Sequence, residues 1–438
     1  MKVKESRKAI KTLQPYVSKQ YEDIEDISAE ELYTLGTIYL FDDEYKNLTK
    51  GFAYIKTSAS KNYLEAIAIT GFLYEFGIGC CLNYSKAENY YLKASERRHG
   101  LAMARLSSLY RYGRPQVKMS RKLSEKYLAY VKIAGPETVF FVEMAAKDYN
   151  EPSAQYVLGT FYHDGIYFEK DEHEAVSWYM LSANAQHPRG EGILGYCYGE
   201  AVGLEKDVHK ALHFYQRAAE KNETVAMYNI GYYLEEGICG EKDIKQAIKW
   251  YEEAAKRGNT LACNSLGYLY EEGNGVQKDY EKAKAFYAKA AAAGNAWGCH
   301  NLGYLYSMGF SVDQNMHKAV DYYQQAAHQG HSGAQNKLGY YFSNGIGGIE
   351  KDESRGIFWY LIAAEQGLAT AQVNLAFCYE RGCGVAVNYE KAIYWLEIAS
   401  KQNDSRQNVE QWLASLVMRL CLQRGSFTMN SHILACAA

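Results

Sequence analysis

LACNSLGYLYEEGNGVQKDYEKAKAFYAKAAAAG, residues Leu261–Gly294, carries one complete copy of the pattern that decides the fold. Its anchor is the hydrophobic-Gly pair Leu266-Gly267. The pair returns at Gly159, Gly195, Gly231, Gly303 and Gly339, a spacing of 36 residues, with Leu or Ile before each Gly and usually Tyr after it. Weaker copies at Gly36, Gly71, Ser107 and Ala376 extend the series. A fixed period of this length marks a repeat array, in which each unit buries its apolar face only by stacking on its neighbours.

The neighbouring copy, Thr224–Asn259, shows what one unit contains. Ala226, Ile230, Gly231 and Leu234 fall at i, i+4, i+5 and i+8, one face of an α-helix, helix A. A small residue recurs at its first column: Ala66, Ala102, Ala154, Gly190, Ala262, Gly298, Ala334 and Ala371. Helix A runs into Glu236-Gly237-Ile238-Cys239-Gly240, echoed by Gly273-Asn274-Gly275 and Gly382-Cys383-Gly384, where Gly supplies the positive φ needed for reversal. No copy continues into Gly-Lys-Ser/Thr or a full GxGxxG, which argues against a nucleotide loop.

A capping column follows: Asn47, Asn83, Asp171, Asp207, Asp243, Asp279, Asn315, Asp352 and Asn388. Asp and Asn accept hydrogen bonds from the free N–H groups of a first turn. Helix B then carries Ala247, Trp250, Tyr251 and Ala254 at i, i+3, i+4 and i+7. Its aromatic pair recurs as Trp178-Tyr179, Phe214-Tyr215, Phe286-Tyr287, Tyr322-Tyr323 and Trp359-Tyr360. It closes on Gly258, Gly294, Gly330 and Gly367, or on Asn222 and Asn403. The expected fold is all-α: an α-solenoid, a right-handed superhelix of about ten antiparallel helix pairs of 36 residues.

The composite Ala-x3-Leu-Gly-x-Leu-Tyr, Gly-x-Gly-Val, Lys-Asp, Lys-Ala-x2-Trp/Phe-Tyr-x2-Ala-Ala-x2-Gly closely resembles the SEL-one-like repeat family of the tetratricopeptide superfamily, over about residues 30–403. The resemblance implies a non-enzymatic adaptor or scaffold whose helices A line an inner groove. The family's settings include quality-control ubiquitin ligase complexes, activation of cell-wall synthases and host–microbe signalling. One branch, secreted bacterial Cys-rich proteins associated with β-lactam binding, pairs its cysteines regularly. This sequence lacks that pairing, so that activity is not carried over; a groove-based enzyme or small-molecule binder of the β-lactam type remains the alternative reading.

Residues 153–403 form the regular array, and 28–106 a less regular one opened by the Ser28-x-x-Glu31 capping box. The Ser107-to-Gly159 step is 52 residues long and holds Pro115, Pro136 and Pro152. An enlarged repeat or inserted helix over 107–152 fits, acting either as an insertion that alters curvature or as a hinge or docking element. Residues 1–27 read as an N-terminal cap or extension, 404–424 as a capping helix, and 425–438 as a mobile tail.

Forty-eight basic residues against 51 acidic ones leave a net charge of −3, with no basic stripe interleaved with aromatics, so nucleic acid is not an expected partner. No apolar stretch is long and uninterrupted enough to be a transmembrane segment, and Met1–Tyr16 lacks a signal-peptide core. The ten cysteines follow no fixed pairing, which favours free thiols and a cytoplasmic location. Sequons at Asn47, Asn83, Asn222 and Asn403 point toward a secreted or luminal route instead, yet each sits where the repeat wants Asn for its backbone.

His209 and His213 lie four apart, as metal ligands can, but His209 shares a capping-proximal column with His173 and His317. That places it on an exposed face, so no metal, cofactor or catalytic residue is expected. The expected partner is a protein or peptide, with end-to-end homo-oligomers as a further reading. If the hydrophobic-Gly face packs between helices, the residues three and two before Gly and one and four after it face the groove. These are Tyr228, Asn229, Tyr232 and Glu235; Asn264, Ser265, Tyr268 and Glu271; His300, Asn301, Tyr304 and Ser307; and Asn336, Lys337, Tyr340 and Ser343. Amides offer both donor and acceptor to a peptide backbone, and Tyr offers broad contact with a polar tip. Equally, the Tyr can pack between repeats while the Asn solvates helix A.

Overall fold

The structure is a computed structural model and describes residues 27–42, 44–112, 114, 116–131, 139–402 and 409–424. The N-terminal extension expected before residue 27, the tail expected after 424, and Asn403 lie outside the described residues. Among those described there are 22 helices and no strand; one isolated bridge joins Arg114 to Val117. The fold is an all-α repeat solenoid, and it divides into two compact units, 1–277 and 278–438.

In the first unit, helices A and B alternate as α1 (Ala29–Phe41) with α2 (Leu48–Ser60), α3 (Leu64–Phe76) with α4 (Tyr84–Glu96), and α5 (Gly100–Tyr112) with α6 (Arg121–Val131). A single helix α7 (Phe140–Lys147) then interrupts the order. Pairing resumes with α8 (Pro152–Asp164) and α9 (Glu172–Asn184), α10 (Pro188–Glu200) and α11 (Val208–Glu220), and α12 (Thr224–Glu236) and α13 (Ile244–Lys256). Helix α14 (Thr260–Glu272) is the last of this unit.

The second unit runs α15 (Tyr280–Ala292), α16 (Ala296–Met308), α17 (Met316–His328), α18 (Ser332–Asn344), α19 (Glu353–Glu365), α20 (Ala369–Arg381), α21 (Tyr389–Ser400) and α22 (Val409–Arg424). Helix α22 packs on α21.

The repeat Gly is a packing residue. A methyl group placed on Gly231 would lie 2.6 Å from the ring of Tyr251, and on Gly195 2.8 Å from that of Tyr215. Gly71 with Tyr91, Gly159 with Tyr179 and Gly339 with Tyr360 repeat the contact. Each Tyr is the second member of the helix B aromatic pair and is buried, so the Gly opens the slot that its ring fills. In the final copy Ala376 replaces Gly, and Leu396, at the Tyr position, is buried beside it.

Every residue of the helix B capping column caps as expected: Asn83 Oδ1 accepts from Lys86 N at 2.8 Å, and Asp243 Oδ1 from Gln246 N at 2.9 Å. Helix A has a second cap set that the sequence pattern did not reveal. Glu223, Asn259, Asn295, His187 and His331 each accept from the backbone N–H three residues on. In the Gly-x-Gly turns, Gly273 takes a left-handed conformation at φ +74° and ends α14. The second Gly answers a different need. A methyl on Gly203 would sit 2.5 Å from the Glu172 carbonyl oxygen, because the turn lies against the preceding helix B.

Helix α7 folds back across the first repeats. Phe141 meets Phe41 at 5.4 Å and Phe72 at 5.9 Å between ring centroids, both edge-on, and Phe141, Val142, Met144, Ala145 and Ala146 are buried. Phe72 follows Gly71 as Tyr232 follows Gly231, so it belongs to the column assigned to the groove.

Candidate binding site

The column after the repeat Gly is where the two units present aromatic surface. Tyr232 and Tyr268 in the first unit are 43% and 52% exposed, and Tyr340 in the second 49%, while the Tyr one helix behind them is buried in each repeat. Tyr304 is half-buried and edge-on to Phe310 at 6.0 Å. The column three before Gly sinks deeper: Tyr228 packs on Tyr251 at 5.6 Å, and burial raises the pKa of its hydroxyl. His300 stacks on His331 at 4.4 Å, and burial lowers its pKa.

The remaining expected residues differ in burial and in the partners they hold. Asn229, Asn264 and Asn301 are half-buried, and the Asn301 amide oxygen lies 3.1 Å from His300 Nδ1. Asn336 accepts from Asn374 Nδ2 at 2.9 Å, linking two successive helices A, and Lys337 is exposed. Glu235 accepts from the buried Tyr251 hydroxyl at 2.7 Å, so it orients the core Tyr. Ser265 is a hydrogen-bond neighbour of Tyr228 and Tyr251. Glu271 is half-buried on α14.

Sequence reasoning missed a cluster in the first unit. Glu75 on α3 is fully buried and accepts from Arg105 Nε at 3.0 Å and Nη2 at 2.5 Å, from Arg189 Nη1 at 3.2 Å, and from Tyr91 OH at 2.8 Å. Arg189 also donates to Tyr84 OH at 2.9 Å and lies 4.8 Å over the Phe76 ring. Burial alone would raise the Glu75 pKa; the two guanidinium groups and the Tyr91 hydroxyl reverse that and hold it at about 2. Beside the cluster is a cavity of about 370 Å³, walled by the Arg114–Val117 bridge, by α8 and α10, and by the first turns of α12 and α14. Asn229 reaches it too. One signal was available: Arg189 stands where the later repeats carry Val225, Leu261 and Trp297.

All nine described cysteines are free thiols, and among the described residues no group of His, Cys, Asp and Glu gathers as a metal site would require. No described helix is long and apolar enough to cross a membrane.

Stacked antiparallel helix pairs with a Gly-Tyr slot define this protein as a helical-repeat solenoid. It belongs to the Sel1 repeat family, whose pattern matches residues 64–99, 100–129, 152–187, 192–223, 224–259, 260–295, 298–331, 332–368 and 369–404. The similar solved structures include two Sel1-type repeat proteins. One is c5321 of uropathogenic Escherichia coli, described as a protective antigen displaying an SLR fold: 26% identity over 98% of this chain and 92% of that one, TM-score 0.55. The other is a Sel1 repeat protein from Oxalobacter formigenes: 31% identity over 57% of this chain and 98% of that one, TM-score 0.51. No curated protein matches.

Proposed function

We propose that the protein is a non-enzymatic adaptor that holds a protein or peptide segment on the helix A faces of its repeats. In the first unit the surface is Tyr228, Asn229, Tyr232, Asn264, Ser265 and Tyr268, with Glu235 and Glu271 at its edge. In the second it is His300, Asn301, Tyr304, Asn336, Lys337 and Tyr340.

One observation carries this reading. At Phe72 the column is covered by α7, which lays Phe141 on it, whereas the same column is exposed at Tyr232 and Tyr268. The chain thus supplies its own example of a helical segment seated on this face. Tyr is suited to the role because a large, rigid side chain with two χ angles gains contact area at low entropic cost. A repeat scaffold of the Sel1 type is ordinarily an interaction fold, and free thiols at the nine described cysteines support this reading over the Cys-rich, β-lactam-associated one.

The test replaces Asn229 and Asn264 together by Ala, and Asn301 separately, then measures both fold stability and capture of partners. Replacing a half-buried polar side chain shifts stability by about 1 kcal/mol, which the stability measurement reads apart from capture. Hydrogen bonds lost from a desolvated interface cost roughly 1 to 3 kcal/mol each, so capture should weaken about tenfold or more. Capture at wild-type strength by both variants would reject the assignment.

A further inference from the structure

We propose that the cavity beside Arg105 and Arg189 binds the carboxylate of an amphipathic acid, a single negative charge on an aromatic or branched aliphatic body. The site lies wholly within the first unit and goes beyond segment binding: it uses the same helix A columns at Gly159 and Gly195, outside the residues assigned to the segment, and has only Asn229 in common with them.

Charge comes first. Two buried guanidinium groups face one buried carboxylate, Glu75, so the cluster keeps one positive charge away from bulk water. The acids on the cavity wall are held in place and keep their charge: Asp164 pairs with Arg111 at 3.6 Å, and Glu223 Oε2 caps α12 by accepting from Ala226 N at 2.7 Å, so the wall has room for one added negative charge and not two. Arg114 adds a further positive charge to the wall. Thr224 and Thr260 bring the first turns of α12 and α14 to the same space, and helix N-termini favour anions. His163 also lines it, and its Nδ1 is buried with no hydrogen-bond partner among the described residues.

Shape selects the rest. About 370 Å³ falls within the usual range for small-molecule sites, and it exceeds what a bare inorganic anion fills. Val117, Phe161, Ile166 and Ile193 add apolar surface to the same wall. A dianion would set its second charge against Asp164 and Glu223, so the fit is to a monoanion. The acid can be a free metabolite-sized molecule or the C-terminal residue of a peptide, since the chemistry is shared.

The test uses the full chain with phenylacetate, isovalerate and N-acetyl-alanyl-phenylalanine as acids, and phenylacetamide and phenyl phosphate as controls. Calorimetry should show one saturable site for at least one acid, with the amide and the phosphate at least tenfold weaker. Tighter binding of the dipeptide than of the free acids assigns the site to a C-terminus, and the reverse assigns it to a small molecule. Arg189→Met should abolish binding. Because that change opens a buried ion cluster, Thr160→Trp provides the second variant: it puts bulk into the cavity while leaving Glu75, Arg105 and Arg189 in the sequence, and should lose binding with the fold retained in a thermal melt. No saturable binding of any acid, an amide as tight as its acid, or undiminished binding by Thr160→Trp would each overturn the proposal. Segment capture at wild-type strength in both Asn variants, with acid binding intact, would instead reject only the groove.

Discussion

Gly231→Ala separates packing from helix propensity because the two predict opposite signs. In an open helix the change would stabilise by about 0.8 to 1.0 kcal/mol. Here the new methyl would stand 2.6 Å from the Tyr251 ring. That ring cannot retreat freely: it is fully buried, and its hydroxyl is bound to Glu235. Inserting a methyl into such a slot costs about 1 to 3 kcal/mol, so the net change is a loss of about 1 kcal/mol. The final repeat shows the compensating pair, with Ala376 beside Leu396.

A double-mutant cycle of Gly231→Ala and Tyr251→Leu cancels the propensity gain and isolates the clash, giving a favourable coupling of about 2 kcal/mol. Repeat arrays can unfold in parts, so hydrogen exchange of the α12 and α13 amides is the suitable assay alongside denaturant melts. A stabilised Gly231→Ala single variant with coupling near zero would refute the slot.

Glu75 should make the first unit acid-sensitive. Its folded pKa of about 2 lies below the ordinary 4.5, so its contribution is complete above about 4.5 and disappears as pH falls toward 2. Glu75→Gln should cost about 3 to 5 kcal/mol at neutral pH and flatten that acid limb, read by melts across the range, because it leaves two buried cations without their carboxylate. Ala201 ends α10 at φ +60°, in the position that Gly237 and Gly273 occupy in later repeats. Ala201→Gly should therefore raise stability by about 1 kcal/mol in denaturant melts, relieving a left-handed non-Gly residue.

The helix pairing was legible because it is periodic. The Gly column, the Asn/Asp caps of helix B and the left-handed Gly at its end each recur, and repetition turned weak local signals into a definite register. The partnership between Gly231 and Tyr251 was less visible, since periodicity gives columns and not which columns touch. The helix A caps escaped because His187 and His331 share a role with Glu223 and Asn259 without sharing a residue type.

The cavity lay furthest from view. Glu75, Arg105 and Arg189 come from three different repeats, and only the folded first unit brings them together. Within the candidate surface, the sequence left Tyr232, Tyr268 and Tyr340 either facing a groove or packed between repeats; the three are exposed, while Glu235 is tied to the core through Tyr251.

Photo-crosslinking tests the adaptor reading most directly. A benzophenone side chain in place of Tyr232, Tyr268 or Tyr340 samples the helix A column in each unit, and one in place of Lys245 or Lys249 samples exposed helix B surface. The account predicts that bound protein forms adducts with the three helix A positions and not with the two on helix B. Adducts confined to Lys245 and Lys249 would contradict it.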